Sequence, residues 1–322
     1  MIPARTLASP SPSAAIRIAG LTHRYGERPA LRGIDLEIGR GEVFGVLGPN
    51  GGGKTTLFKV LATLLPPQSG TVTVLDEDAG REPERVRRRL GVVFQHPALD
   101  AKLTVLENLR CHAALYGLAA GDARARTATL LERLGLADRG GDLVETLSGG
   151  LAPRVELAKG LLHGPELVLL DEPSTGLDPG ARRDFFEYLL HLRERDGTTV
   201  VLTTHYMEEA ERCDRVGFVH QGKLVAVGPP AALKAEIGGD VVVIDTADPE
   251  RLRARIAQRF GCAPQVVDGM LRVELPRGHE FVRDVVEAFP NDVRAITFGK
   301  PTLEDVFVHV TGERFWSDGG TR

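Results

Sequence analysis

Cysteine is scarce in this chain, and a basic excess is missing. The 322 residues hold three cysteines, Cys111, Cys213 and Cys262, far apart and with no Cys-x-x-Cys or Cys/His cluster. That excludes a disulfide framework and a thiolate metal site. It is the pattern of reduced, semi-buried thiols in a cytosolic protein. Lysine and arginine total 40 against 44 aspartates and glutamates, a formal net charge of -4. A general nucleic-acid or anionic-membrane binder needs the opposite balance, so no nucleic-acid partner is expected. Long apolar runs are missing too. None approaches the ~18–20 residues of a membrane-spanning helix. The opening "MIPARTLASPSPSA" has no apolar h-region, so it does not read as a secretory signal. Its Pro/Ser/Ala bias reads as a disordered tail over 1–14. Any membrane role is then expected to come through a partner.

What is present is a soluble, globular composition, 42% hydrophobic and 26% charged, long enough for about two domains. "IRIAGL", "ALRGIDLEI" and "EVFGVLG" read as strands. The last ends in a glycine-rich turn before "KTTLFKVLATLL", where Leu57, Val60, Leu61 and Leu64 recur at helical spacing up to Pro66-Pro67. "GTVTVLD" and "LGVVFQ" read as strands, and 104–138 as helical. "ELVLLD" and "TTVVLTTH" are short apolar runs suited to buried parallel strands, with a helix around 180–195 between them. "RVGFVHQGKLVAVG" reads as a hairpin closing on Gln221-Gly222. This alternation predicts an α/β fold with a parallel sheet core, an antiparallel β edge and an inserted helical subdomain at about 100–152, all within 15–236. Over 237–312 the order becomes β-α-β-β-α-β, that of a small α+β ferredoxin-like module. A final helix from Pro301 carries Leu303, Val306, Phe307 and Val310. Residues 313–322 read as a tail.

The chemistry starts at "GPNGGGKTT", which fits G-x-x-x-x-G-K-[ST] with Gly48, Gly53, Lys54 and Thr55 at the fixed places. The glycines let successive N–H groups turn inward as an anion nest, and the following helix adds its positive end. Asn50, Gly51 and Thr56 belong to the same cradle. Lys54 is expected to reach the β- and γ-phosphates, and the Thr55 hydroxyl to ligate Mg²⁺. A plain surface turn would not need a strand before it and a helix after it. "LVLLDEP" ends a buried strand with Asp171-Glu172, at the edge that faces the ligand crevice of a parallel sheet. Asp171 suits the Mg²⁺ shell. Glu172 is placed to polarise an attacking water. Gln95 and His205 end two further strands, where Gln95 can meet Mg²⁺ or water and His205 can donate to phosphate. Tyr25 precedes the loop and could stack on adenine, although strand packing would also explain it.

Taken together, Tyr25, "GPNGGGKTT", Gln95, "LSGG", "LLDEPSTGLD" and His205 resemble the nucleotide-binding subunit of ATP-binding cassette transporters over about 16–230. The resemblance implies ATP and Mg²⁺ as ligands, a catalytic Glu172, a switch at His205 and a D-loop at Gly176-Leu177-Asp178. It also implies a head-to-tail homodimer, in which Ser148, Gly149 and Gly150 of one copy cover the ATP held by the other. A helix N-terminus and glycine N–H groups make such a loop a second phosphate cradle without an acid or base of its own. Here Leu151 stands where the family usually has Gln or another polar residue or Met, Ala152 and Pro153 replace common basic residues, and Gly52 replaces Ala or Ser.

A single cassette with no membrane span resembles the subunit of a transporter whose permease is a separate integral-membrane chain. That implies a peripheral place at the cytoplasmic face of the membrane. The interval from Lys54 to Ser148 is too short for the coiled coils of chromosome-maintenance relatives. "PTLEDVFVHVTG", "TGLDP" and "THYMEEAERCDRV" are similar to the ATPase subunits of ABC-2-type exporters, which move drugs, polysaccharides and lipid-linked substrates. Export is the expected function. A soluble regulatory ATPase and an importer ATPase are the alternatives. A generic P-loop kinase would need neither "LSGG" nor His205.

Overall fold

The computed structural model describes residues 14–95 and 98–315. They divide into two compact units: one running to Glu209 with Cys213–Leu224, the other Ala210–Arg212 with the chain from Val225.

In the first unit β1 (Ala14–Tyr25) and β2 (Arg28–Gly39) form a hairpin, and β3 (Val43–Leu47) leads into α1 (Lys54–Leu61). Then come β4 (Ser69–Val74), β5 (Glu77–Asp78), α2 (Pro83–Arg89) and β6 (Leu90–Val93). The helical insertion holds α3 (Val105–Leu115) and α4 (Ala120–Arg133), followed by α5 (Leu151–Leu161). β7 (Leu167–Asp171), α6 (Pro179–Asp196), β8 (Thr199–Thr203), α7 (Met207–Ala210) and the pair β9 (Arg215–His220) and β10 (Lys223–Gly228) follow.

The larger sheet has the order β10-β9-β3-β8-β7-β6, and β9, β3, β8, β7 and β6 run parallel. β3, β7 and β8 are buried at every position, which is why they read as continuous apolar runs rather than alternating ones. The expected antiparallel edge is a separate four-stranded sheet, β2-β1-β4-β5. Its alternating inner residues, Ile16, Ile18, Ile34, Leu36 and Val72, share one core with Leu57, Phe58 and Leu61 of α1. Burial at about 25 cal/mol per Å² is what binds the two layers.

α1 ends earlier than Pro66-Pro67. Thr63 takes a φ of 59°, its N–H donates to the Val60 carbonyl (3.0 Å), and the Leu64 N–H donates to the Lys59 carbonyl (2.8 Å). That is a Schellman termination. Arg87 holds it by donating to Thr63 Oγ1 (2.8 Å) and to the Thr63 carbonyl (3.0 Å). Leu64 therefore leaves the buried face and is 56% exposed.

The second unit holds α8 (Pro230–Ala235), β11 (Asp240–Thr246), α9 (Pro249–Phe260), β12 (Gln265–Val267), β13 (Met270–Leu275), α10 (Gly278–Ala288), β14 (Val293–Gly299) and α11 (Leu303–Thr311). Its all-antiparallel sheet runs β12-β13-β11-β14, the split βαβ arrangement of a ferredoxin-like module. Leu271 and Val273 point to the α9/α10 core. Arg272 between them takes the other face, by the two-residue alternation of a strand. There it pairs with Asp305, while His309 Nδ1 lies 2.8 Å from Glu274 Oε2, and α11 docks through both. The unit takes the chain from Val225, so it includes the last residues of β10, and within it α8 packs against α11.

The tail expected over 1–14 lies outside the described residues, except that Ala14 opens β1. At the other end 316–322 lie outside them, but Phe315 is no tail residue. It is 1% exposed and packs edge-on against Phe307, ring centroids 5.2 Å apart.

Within the first unit an aromatic cluster fastens α3 to the end of α5. Tyr116 stacks on His163 at 3.9 Å, and His112 lies 4.9 Å from Tyr116. Burial pushes both imidazoles down to about 4 from the ordinary 6.5. Below pH 6.5 the unfolded chain takes up protons that the folded cluster refuses. The stability is therefore complete above about pH 6.5 and is lost as pH falls toward 4. The expected result is a thermal midpoint that is level from pH 7.5 to 6.5 and falls steeply by pH 5, with a shallower fall in His112→Gln/His163→Gln. An equally steep fall in that variant, followed by circular dichroism, would place the protons elsewhere.

Candidate functional site

The loop between β3 and α1 is held by contacts that tolerate only glycine at key points. Gly48 has φ 154°, and a Cβ there would lie 2.1 Å from the Val219 carbonyl oxygen. Gly53 caps α1 with φ 116°, and its Cβ would lie 2.8 Å from the Ala30 carbonyl oxygen. The β9–β10 turn completes the clamp. The Gly222 N–H donates to the Gly52 carbonyl (2.8 Å), and the Gly222 carbonyl accepts from the Arg32 N–H (2.8 Å). Lys54 at the head of α1 is only 6% exposed. Its Nζ donates to the Gly48 carbonyl (2.6 Å) and the Pro49 carbonyl (3.2 Å). Burial pushes this ammonium down, while Glu172 and Asp171 pull it back up. A buried cation facing an N–H-lined turn is a receptor for multiply charged anions.

The two carboxylates at the end of β7 differ in environment. Asp171 is buried, and burial pushes its carboxyl up against the hydrogen bond it accepts from Thr203 Oγ1 (2.6 Å). The same hydroxyl accepts the Glu172 N–H (2.8 Å), so Thr203 at the end of β8 fixes both residues. Glu172 has φ 48°, a left-handed backbone rare outside glycine. Its Oε2 lies 3.4 Å from His205 Nδ1, 3.3 Å from Gln95 Nε2 and 3.4 Å from Thr175 Oγ1. The hydrogen bond from His205 is the main cause holding its carboxyl below the usual range, against the opposing effect of burial. It is therefore ionised at neutral pH.

Of these groups Glu172 and Gln95 enter one cleft of about 600 Å³. Tyr25, Asn50, Gly51, Gly53, Lys54, Thr55, Thr56, Gln95 and Glu172 line it, with Tyr25 half exposed at the rim. Arg28, Arg32 and the Gln221-Gly222 turn line it too. The sequence reading missed them, as it missed Thr203 and Thr175. The paired threonines before His205 and the hairpin glycine were the available signals. Gly48, Asp171 and His205 adjoin lining residues without lining the cleft themselves, and four expected residues lie elsewhere. Ser148 and Gly149 are exposed, and Gly150 caps α5 without any side-chain cap, so Ser148 does not serve as an N-cap. Asp178 caps α6 instead, accepting the N–H groups of Gly180 (2.9 Å) and Ala181 (3.0 Å).

A parallel sheet whose strand ends deliver a glycine loop, a buried lysine and a glutamate into one cleft, with a buried aspartate directly before that glutamate, defines a P-loop nucleoside triphosphatase. The chain matches the ABC transporter family over residues 31–175, and over 157–209 an AAA domain described as a putative AbiEii toxin of a type IV system. It is 41% identical over 305 residues to the daunorubicin resistance ATP-binding protein DrrA3 of Streptomyces coeruleorubidus, covering 93% of this chain and 96% of that one. It is 39% identical over 310 residues to the Nod factor export ATP-binding protein I of Paraburkholderia xenovorans, covering 94% and 98%. Among solved structures it resembles a dimeric post-hydrolysis ATP-binding cassette bound to ADP and Pi. That likeness has a TM-score of 0.62 and 28% identity, over 66% of this chain and 98% of the other. The chain belongs to the ATP-binding cassette family, as an ATP-binding and ATP-hydrolysing transporter subunit. No helix among the described residues is long and apolar enough to cross a membrane.

Proposed function

We propose that the chain energises export through a separate membrane-spanning permease, working as a head-to-tail homodimer at the cytoplasmic face of the membrane. The carrying observation is the split site. The cleft holds the lysine, the Glu172 carboxylate and Gln95, while Ser148 and Gly149 are exposed and Ser148–Gly150 lies outside it. A second copy, turned by a two-fold axis, would supply that loop to each cleft. The relatives named for drug resistance and Nod factor export, and the docked α11 that carries "PTLEDVFVHVTG", support the export branch.

Lys54 and the loop N–H groups bind the β- and γ-phosphates, and Tyr25 stacks on the base. Glu172 takes the proton of the attacking water as the water oxygen bonds to the γ-phosphorus and the bond to the β-phosphate oxygen breaks. His205 orients Glu172 and donates toward phosphate, and Gln95 holds the same carboxylate from the segment after β6. Asp178, engaged as a helix cap, shapes the approach of the partner copy. The donor set of one buried carboxylate (Asp171), one hydroxyl (Thr55) and one amide (Gln95) is all hard oxygen and fits Mg²⁺. These residues would hold the ion, which when bound neutralises phosphate charge.

The test is co-expression with a membrane-spanning protein of about six spans, where a neighbouring gene encodes one. Stable co-purification and ATP turnover that rises several-fold on adding the exported substrate are expected. Full turnover with no membrane protein bound in any preparation would favour a soluble regulatory ATPase.

A further inference from the structure

A second cavity in the first unit, about 730 Å³, exceeds the nucleotide cleft in volume. It falls within the ~300–1,000 Å³ usual for small-molecule sites. It lies at the opposite ends of the strands. Glu166, just before β7, and Thr198, just before β8, form one wall, whereas the nucleotide cleft takes the far end of β7. The other wall is one face of α4, with Arg126, Thr129, Leu130 and Arg133 at the i, i+3, i+4, i+7 spacing of a helix stripe. Leu130, Leu161, Leu162 and Leu192 make an apolar floor, all under 9% exposed.

The charges of the lining do not cancel. Glu166 is held by Arg89 at 2.6 Å and by Arg40 at 3.0 Å, and Asp196 lies 3.5 Å from Arg133. Both carboxylates are thus engaged. Arg126 donates to the Leu162 carbonyl at a long 3.4 Å and has no carboxylate partner among the described residues. An apolar floor with one guanidinium in surplus selects an amphipathic anion.

Two rigid elements join this cavity to the catalytic parts. α5 has eleven residues, about 16 Å at ~1.5 Å each. It runs from Gly150 to the Leu161 side of the cavity. β7 runs from Leu167, next to Glu166, to Asp171 in five residues. An occupant touching α4, the α5 end and the β7 entry would bias where the Ser148 loop stands relative to Asp171 and Glu172.

We propose that this cavity is a second ligand site, taking an organic anion with an apolar body and one acidic head group held by Arg126, and that its occupancy alters ATP turnover. The experiment uses the full chain and 2-naphthoate as probe, with 2-naphthamide as its uncharged counterpart. Saturable binding of 2-naphthoate by calorimetry is expected, at least tenfold tighter than 2-naphthamide. Arg126→Gln should weaken it at least tenfold. Thr129→Trp, at an exposed position, should block it by filling the space. Both variants should keep the basal ATPase rate. In the parent chain 2-naphthoate should change that rate at least twofold, and in Arg126→Gln leave it unaltered. Equal binding of the two probes, or no binding loss in either variant, would overturn the site. Binding without any change in turnover would overturn its control of ATP hydrolysis. Basal activity, read separately, reports on the nucleotide cleft itself.

Discussion

Glu172→Gln is expected to lower steady-state ATP turnover about 10²–10⁴-fold, the usual contribution of a positioned general base. ATP binding should persist. The substitution keeps the volume and the contacts with Gln95 and Thr175 while removing the charge that takes the proton. Lys54 loses one of its two favourable carboxylate partners, Glu172, and keeps Asp171 and its carbonyl contacts, so the phosphate receptor remains. With hydrolysis stopped, ATP should hold two copies together through Ser148–Gly150. Phosphate release and sedimentation in ATP are the measurements. A variant that is inactive yet monomeric at high concentration in ATP would count against the clamp. A variant that hydrolyses normally would remove Glu172 from the base role.

The second large effect is complementation between two dead chains. Lys54→Ala removes the buried cation of the cleft, and Ser148→Arg fills the exposed loop that the other copy needs. Each protein alone should turn over ATP at least about 10²-fold more slowly, because every site in either homodimer carries one lesion. Mixed, they form a heterodimer with one doubly damaged site and one intact site. The intact site joins the cleft of the Ser148→Arg chain to the loop of the Lys54→Ala chain. A recovered rate that peaks near equal ratios, reaching a sizeable fraction of one site's activity, is expected. If Ser148→Arg by itself turns over ATP at full rate at dilutions where no dimer forms, the shared site is wrong. Arginine is safe for folding at position 148, since the side chain faces solvent and caps nothing.

Much of the fold was legible because it depends on local physics. "ELVLLD" and "TTVVLTTH" are built on the unbroken apolar runs LVLL and VVL, and both strands are buried on both faces. Asp268-Gly269 and Gln221-Gly222 read as hairpin turns, and all four residues have positive φ. The end of α1 was misread at Pro66-Pro67 because the stop lies in a left-handed Thr63 pinned by Arg87 from another helix, a contact no local pattern carries. Phe315 was misread for the same reason: its burial is made by Phe307 on α11. In the site, the motif spacing identified Lys54, Asp171, Glu172, Gln95 and His205. It did not reveal Thr203, whose single hydroxyl serves both carboxylates, nor Gly222, which clamps the phosphate loop from a hairpin far along the chain.

The sequence alone determined that this is a P-loop ATPase with its catalytic carboxylates at a strand end, because a glycine nest, a lysine and an Asp-Glu pair depend on residue type at fixed spacing. Only the tertiary structure decided that Glu172 sits ionised among His205, Gln95 and Thr175. It also decided that Asp178 turns away to cap α6 and that a second cavity opens at the N-terminal end of β7. Charge state, capping and cavity shape come from distances between side chains remote in sequence, and those distances are set by packing.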